Sequence, residues 1–274
     1  MGVPVIALSI TGLGAIFGGY LVLAAFRLPG LLYWAIAAVT TLGCTLACVV
    51  RALLGQGYRY HDRLGTANKI TLFRGILLCG VAGFATMPPP SGPLAWLPGC
   101  LFAAAVGVDV LDGAVARRKG ETTRLGEVLD REFDALGTLV AALVAYRYGK
   151  VPLFYIGVGS IYYWFTLGLW LRRKRGRPVH DLPSSLFRRI AGAGQSVFLV
   201  MALLPLFEPA MTYWASWIFG LLVLVSFARD WQITTESAHA GFQRDRSRNI
   251  PGFPRRGIEI VHRAPDSVPC PDEK

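Results

Sequence analysis

Seven of the 17 acidic residues in this 274-residue chain fall between positions 109 and 134: Asp109, Asp112, Glu121, Glu127, Asp130, Glu132 and Asp134. Ionisable groups at the ends of apolar helices are costly and need a reason. On a helix turning about 100° per residue, Asp109, Asp112, Gly113 and Ala116 share one face, with Arg117 at its edge. Gly126, Asp130 and Asp134 share a face of the next helix, and antiparallel packing of the two is expected to bring four carboxylates together. Like charges about 4 Å apart repel by roughly 4 kcal/mol at an effective dielectric of 20, so such a cluster must take up protons or hold cations. With no His or Cys beside them, these hard oxygen ligands suit Mg²⁺ or Mn²⁺. Gly113, Ala116 and Gly126 remove bulk where the carboxylates point, leaving room for a ligand, and Arg117 offers a forked donor to a phosphate.

The elements that carry these residues read as membrane helices. The chain is 53% hydrophobic and 16% charged, with a mean hydropathy of +0.45, too apolar for a soluble domain of this length. A crossing helix needs about 20 mainly apolar residues, and eight stretches qualify as candidates: 4–26, 31–50, 70–87, 94–116, 133–149, 152–171, 188–206 and 210–228. The first lacks the basic leader of a signal peptide and runs into a second span, so it is read as a retained helix. Of the 28 Lys and Arg, 25 fall in alternate segments (51–74, 117–131, 172–189 and from 229 onward), leaving Arg27, Arg147 and Lys150 on the other side. Basic residues in short loops mark the cytoplasmic face, which puts both termini and the acidic cluster there. This distribution accounts for the net charge of +11 without any nucleic-acid partner. The five cysteines lack metal-ligand spacing and indicate neither a disulfide framework nor a zinc site.

The expectation is an all-α, polytopic transmembrane bundle, in what would be the cell (inner) membrane. It comprises two additional N-terminal spans (1–52), a juxtamembrane segment with a six-span catalytic unit (53–231), and a mobile cytoplasmic tail (232–274). Around residues 51–74, Tyr58, Tyr60 and His61 are read as part of an amphipathic segment at the membrane surface.

The run from Asp109 through Asp112, Gly113, Ala116 and Arg117, followed by Gly126, Asp130 and Asp134, resembles the signature of the CDP-alcohol phosphatidyltransferases, over roughly residues 68–228. The resemblance implies a two-metal site, with Mg²⁺ or Mn²⁺ held by Asp109, Asp112, Asp130 and Asp134, and with Asp134 also accepting the proton of the attacking hydroxyl. It implies that Gly113, Arg117 and Thr123 contact the CDP group. It implies as well that Asn68 to Thr71, matching the family's Asn-x-x-Thr element, line the donor pocket. The activity implied is transfer of a phosphatidyl or phospho-alcohol group from a CDP-linked donor, first of all CDP-diacylglycerol, to a hydroxyl acceptor in phospholipid synthesis, with release of CMP. Membrane lipid as a partner and a homodimer are further expectations of the resemblance.

Other readings stand beside these. The stretch from Leu125 to Asp130 and from Asp134 to Leu136 looks somewhat like the branch that joins CDP-choline or CDP-ethanolamine to diacylglycerol. Ala135 stands where phosphatidylglycerophosphate synthases usually carry Lys, and Arg188-Arg189-Ile190-Ala191-Gly192 replaces their Gly-Lys element; both departures weigh against a phosphorylated polyol acceptor. Arg188 and Arg189 are nonetheless candidates for such an acceptor, whereas Arg172 to Arg177 reads as an orientation signal. Thr123, Asn68 and Thr71 would also serve as polar residues at helix starts. Glu127 and Arg131 read as an i,i+4 surface pair outside the site. A cation-coupled transporter would also use intramembrane carboxylates, but it calls for broken helices at the cluster and an internal repeat. A non-catalytic membrane scaffold would tolerate loss of Asp134.

Overall fold

Long apolar runs with few interior breakers fold as helices, and the computed structural model contains only helices and turns among its described residues. These are residues 3–26, 28–55, 66–119, 124–177, 179 and 185–248; the side chains of 3–8, 48, 51–55, 66–69, 112–119, 124–125 and 236–248 lie outside the description. In chain order the helices are α1 (Val3–Ala25), α2 (Leu31–Gly55), α3 (Thr66–Gly83), α4 (Leu97–Lys119), α5 (Arg124–Arg147), α6 (Phe154–Gly159), α7 (Ile161–Lys174), α8 (Leu186–Leu203) and α9 (Pro209–Arg248). Single 3-10 segments at Phe84–Thr86 and Gly92–Trp96 extend α3 and precede α4.

The second half of α5 is the centre of the bundle. Val140, Ala141, Ala142, Val144 and Ala145 are all buried, enclosed by α2, α3, α6 and α8. The outer faces remain apolar: Trp214 is 70% exposed and Ile218 71%, and Ile10, Leu13, Phe17 and Leu221 are exposed as well. Such a surface is stable against hydrocarbon and not against water. Gly92–Leu111, Leu186–Leu203 and Pro209–Thr235 are long and apolar enough to cross a membrane, with Ser9–Ala25, Leu31–Ala47 and Ile70–Thr86 as shorter apolar helical stretches.

The helix stops are local. Gly149 (φ +69°) and Gly176 (φ +67°) adopt the left-handed conformation that glycine tolerates. Lys150 N–H then returns to the Ala145 carbonyl (2.9 Å), and Arg177 N–H to the Arg172 carbonyl (3.0 Å), closing the ends of α5 and α7. Beside the first of these turns, Lys150 Nζ donates to the Leu204 carbonyl at 2.8 Å. Partial burial there holds the lysine pKa below its ordinary value.

Two elements differ from the sequence expectation. The span at 152–171 is broken at Ser160 (φ −95°, ψ 1°), which separates α6 from α7. The cause is close packing on α5: a Cβ at Gly159 would lie 2.9 Å from the Ala142 Cβ and 3.2 Å from the Leu139 Cα. The short α6 follows α5, and α7 restarts from the Ser160 carbonyl, which accepts from Tyr163 N–H at 3.0 Å. At the other end of the chain, α9 runs past residue 232, where a tail was expected to begin, and continues to Arg248.

The two N-terminal helices pack on α3 and α5, and one large side chain is fitted closely at that contact. Trp34 on α2 is 3% exposed and lies against Gly83, where an added Cβ would fall 2.3 Å from its ring. On the opposite side a Cβ at Gly19 of α1 would be 3.0 Å from the same indole, and Phe84 meets it edge-on with ring centroids 6.4 Å apart.

Candidate metal and substrate site

The acidic residues come from α4 and α5, but these two helices do not assemble the site by packing on each other. They touch only slightly, and α3 lies against both. This differs from the antiparallel pair expected from the spacing, and its cause is the pattern of small residues. Gly75 on α3 receives the Phe133 ring of α5, where a Cβ would lie 3.2 Å from the ring. One turn further, Gly137 of α5 receives Leu78 of α3 at 3.2 Å and Phe102 of α4 at 3.6 Å. Each glycine accepts a bulky side chain from the facing helix, so the three axes converge beside the carboxylates.

At this convergence Asp109 of α4 and Asp130 and Asp134 of α5 each offer a carboxylate oxygen, and these atoms all lie within 4.8 Å of one another. Their side chains are 31%, 47% and 56% exposed, respectively, so the cluster is open on one side. Three carboxylates converging from two helices, with no His or Cys among them, suit a hard divalent ion.

Arg74 of α3 completes the arrangement. Its side chain is only 6% exposed; Nη1 donates to Asp109 and, at 3.3 Å, to Asp130, while Nη2 donates to Asp134. In the sequence Arg74 closes both the basic juxtamembrane segment and the Asn68 to Arg74 element, a weaker signal than the aspartate motif, and it has no assigned role at the carboxylates. The signal that would have found it is its position inside the apolar stretch 70–87, where an arginine must have partners.

Thr71, one turn before Arg74 on the same helix, is buried. Asn68 lies on the first turn of α3, and Asp112, Gly113 and Arg117 lie on α4 beyond Asp109, but the side chains at 68 and 112–117 are outside the described set, and Thr123 is outside the described residues altogether. Glu127 and Arg131 are exposed and away from the cluster, and Arg131 Nε meets the Glu127 carbonyl oxygen (3.0 Å). Arg188, weighed as an acceptor contact, donates from Nη1 to Asp230 of α9 at 3.0 Å. Beside Arg74 and Asp134 a small cleft opens, bounded by Phe102, Thr138 and Ser196 from α4, α5 and α8. Asp109, Asp130 and Asp134 stand on unbroken helices, and the break at Ser160 lies elsewhere, which removes the feature that a transporter reading requires.

No curated protein matches the chain. A family model described as CDP-alcohol phosphatidyltransferase matches residues 64–228, a stretch that begins just before α3, ends within α9 and leaves α1 and α2 outside. That stretch contains every helix of the carboxylate site, and members of the family generally use a divalent metal, bind a CDP-alcohol and an alcohol acceptor, and serve phospholipid synthesis. The helical bundle with its membrane-length apolar helices, the oxygen-ligand cluster and the matched stretch agree: this integral membrane protein belongs to the CDP-alcohol phosphatidyltransferase family and is a transferase of substituted phosphate groups.

Proposed function

We propose that the protein transfers a phosphatidyl group from CDP-diacylglycerol to the hydroxyl of an alcohol acceptor, releasing CMP at the cytoplasmic face of the membrane. The observation that carries this reading is the convergence of Asp109, Asp130 and Asp134 within 4.8 Å, next to a cleft, inside the stretch matched by the family. Asp112 joins these three as a ligand on our reading, one turn along α4 from Asp109. Mg²⁺ or Mn²⁺ bound by the four aspartates would neutralise the charge of the donor's pyrophosphate.

The remaining chemistry belongs to the chain's own residues. Gly113, Arg117 and Thr123, with Asn68 to Thr71, hold the CDP group so that its β-phosphorus faces the cleft. Asp134 takes the proton from the acceptor hydroxyl as the new oxygen–phosphorus bond forms and the bond to CMP breaks. The tight packing of Gly75 on Phe133 and Gly137 on Leu78 keeps the carboxylates from moving apart during this exchange. The eight-span topology and the cytoplasmic location of the site rest on the distribution of basic residues.

The decisive experiment is CMP release by the purified protein in lipid or detergent, offered CDP-diacylglycerol or CDP-choline with a panel of alcohols. Metal-dependent release that EDTA and Asp134→Asn both abolish is expected, with CDP-diacylglycerol the productive donor. Release from CDP-choline onto diacylglycerol alone would move the protein to the aminoalcohol branch. A folded protein releasing CMP from neither donor would remove the reading.

A further inference from the structure

We propose that Arg74 is the resident counter-cation of the aspartate cluster, holding the carboxylates together ahead of a divalent ion and then competing with that ion for them. The inference rests on the metal-site reading above and assigns to α3 a role in the affinity of that site.

Arg74 lies on a different helix from all three of its described partners and is almost wholly enclosed, so those carboxylates offset the cost of burying its charge. Its Nε has no partner among the described atoms, and the described partners of its Nη end are the three aspartates. Three like charges whose oxygens lie within 4.8 Å would otherwise drive α4 and α5 apart. One guanidinium shared among them ties α3, α4 and α5 at the point where the glycine contacts have already brought the backbones close.

The competing effect follows from the same chemistry. Arginine does not lose its proton in proteins, so a divalent ion drawn to these carboxylates meets a fixed positive charge that can be relieved only by movement of the side chain. Lysine in its place would keep the charge but lose the fork that engages both helices at once. Glutamine would remove the charge.

The test measures Mn²⁺ affinity by electron paramagnetic resonance, and thermal unfolding in EDTA, for the full chain and for Arg74→Lys and Arg74→Gln. Mn²⁺ binding should tighten in the order Arg, Lys, Gln, by roughly tenfold or more at the end of the series. The unfolding temperature in EDTA should fall in that same order. A purely structural role would lower stability without tightening Mn²⁺ binding. Equal or weaker Mn²⁺ binding by either folded variant would overturn the proposal, and if Arg74→Gln does not fold, the comparison of Arg74→Lys with the parent decides it. Asp130→Asn separates the two levels: if it bound Mn²⁺ as tightly as the parent, or if the parent bound none, the metal-site reading itself would fall and this inference with it.

Discussion

Arg74 and Arg188 both meet carboxylates inside the helix bundle, but in different proportions. Asp230, 5% exposed, receives the Arg188 guanidinium at 3.0 Å, a carboxylate matched by a cation. Around Arg74 three carboxylates share one guanidinium, which among the described residues leaves a surplus of negative charge if all are ionised. The first arrangement sets one cation against one anion and joins α8 to α9. The second is open to a further cation, and its acidic members are also its more exposed ones. What separates a structural ion pair from a ligand-binding centre here is the surplus of anion and its access to solvent, more than the residue types.

The contrast can be broken in several ways. Asp134→Asn should lower CMP release by roughly 10²- to 10⁴-fold, as loss of a general base does, measured as turnover per folded molecule. Asp230→Asn should leave Mn²⁺ affinity within about twofold of the parent, because Arg188 and Asp230 stand on α8 and α9 while the described members of the cluster stand on α3, α4 and α5. It should instead cost about 2 kcal/mol in denaturant unfolding, since Asp230 is buried and Arg188 about one third exposed. Replacing both members, Arg188→Met with Asp230→Leu, should recover stability to within about 1 kcal/mol of the parent, as buried pairs exchanged for apolar side chains do. No single apolar substitution for Arg74 can have that outcome, because three carboxylates would remain. The smallest effect is expected at Lys150→Met, which deletes the 2.8 Å contact with the Leu204 carbonyl: about 1 kcal/mol in unfolding, with Mn²⁺ binding unaltered.

The shared face of Asp130 and Asp134 was legible from spacing because i,i+4 positions fix which side of a helix a residue occupies whatever the tertiary fold, whereas the approach of Asp109 depends on how α4 and α5 both pack on α3. Helix class and most helix positions followed from apolar run length for the same local reason. Arg74 was legible only in part: its place inside the apolar stretch 70–87 demands partners, but those partners lie 35, 56 and 60 positions away, and nothing local says which they are. The interposition of α3 between α4 and α5 was hidden likewise, since it depends on Gly75 and Gly137 each meeting a side chain from a facing helix. At Ser160 the break arises from Gly159 lying on the α5 backbone, a contact that run length cannot register.

Trp34 and Gly83 leave a mark that can be sought in other chains. The indole fills the volume in which a side chain at position 83 would begin, so the two positions can change only together. Related proteins that keep an N-terminal helix pair docked in this way should show a compensating exchange of bulk, small at one position wherever the other is large. Proteins built from the matched stretch alone are free of that coupling, and in them the position of Gly83 should vary in size without regard to anything upstream.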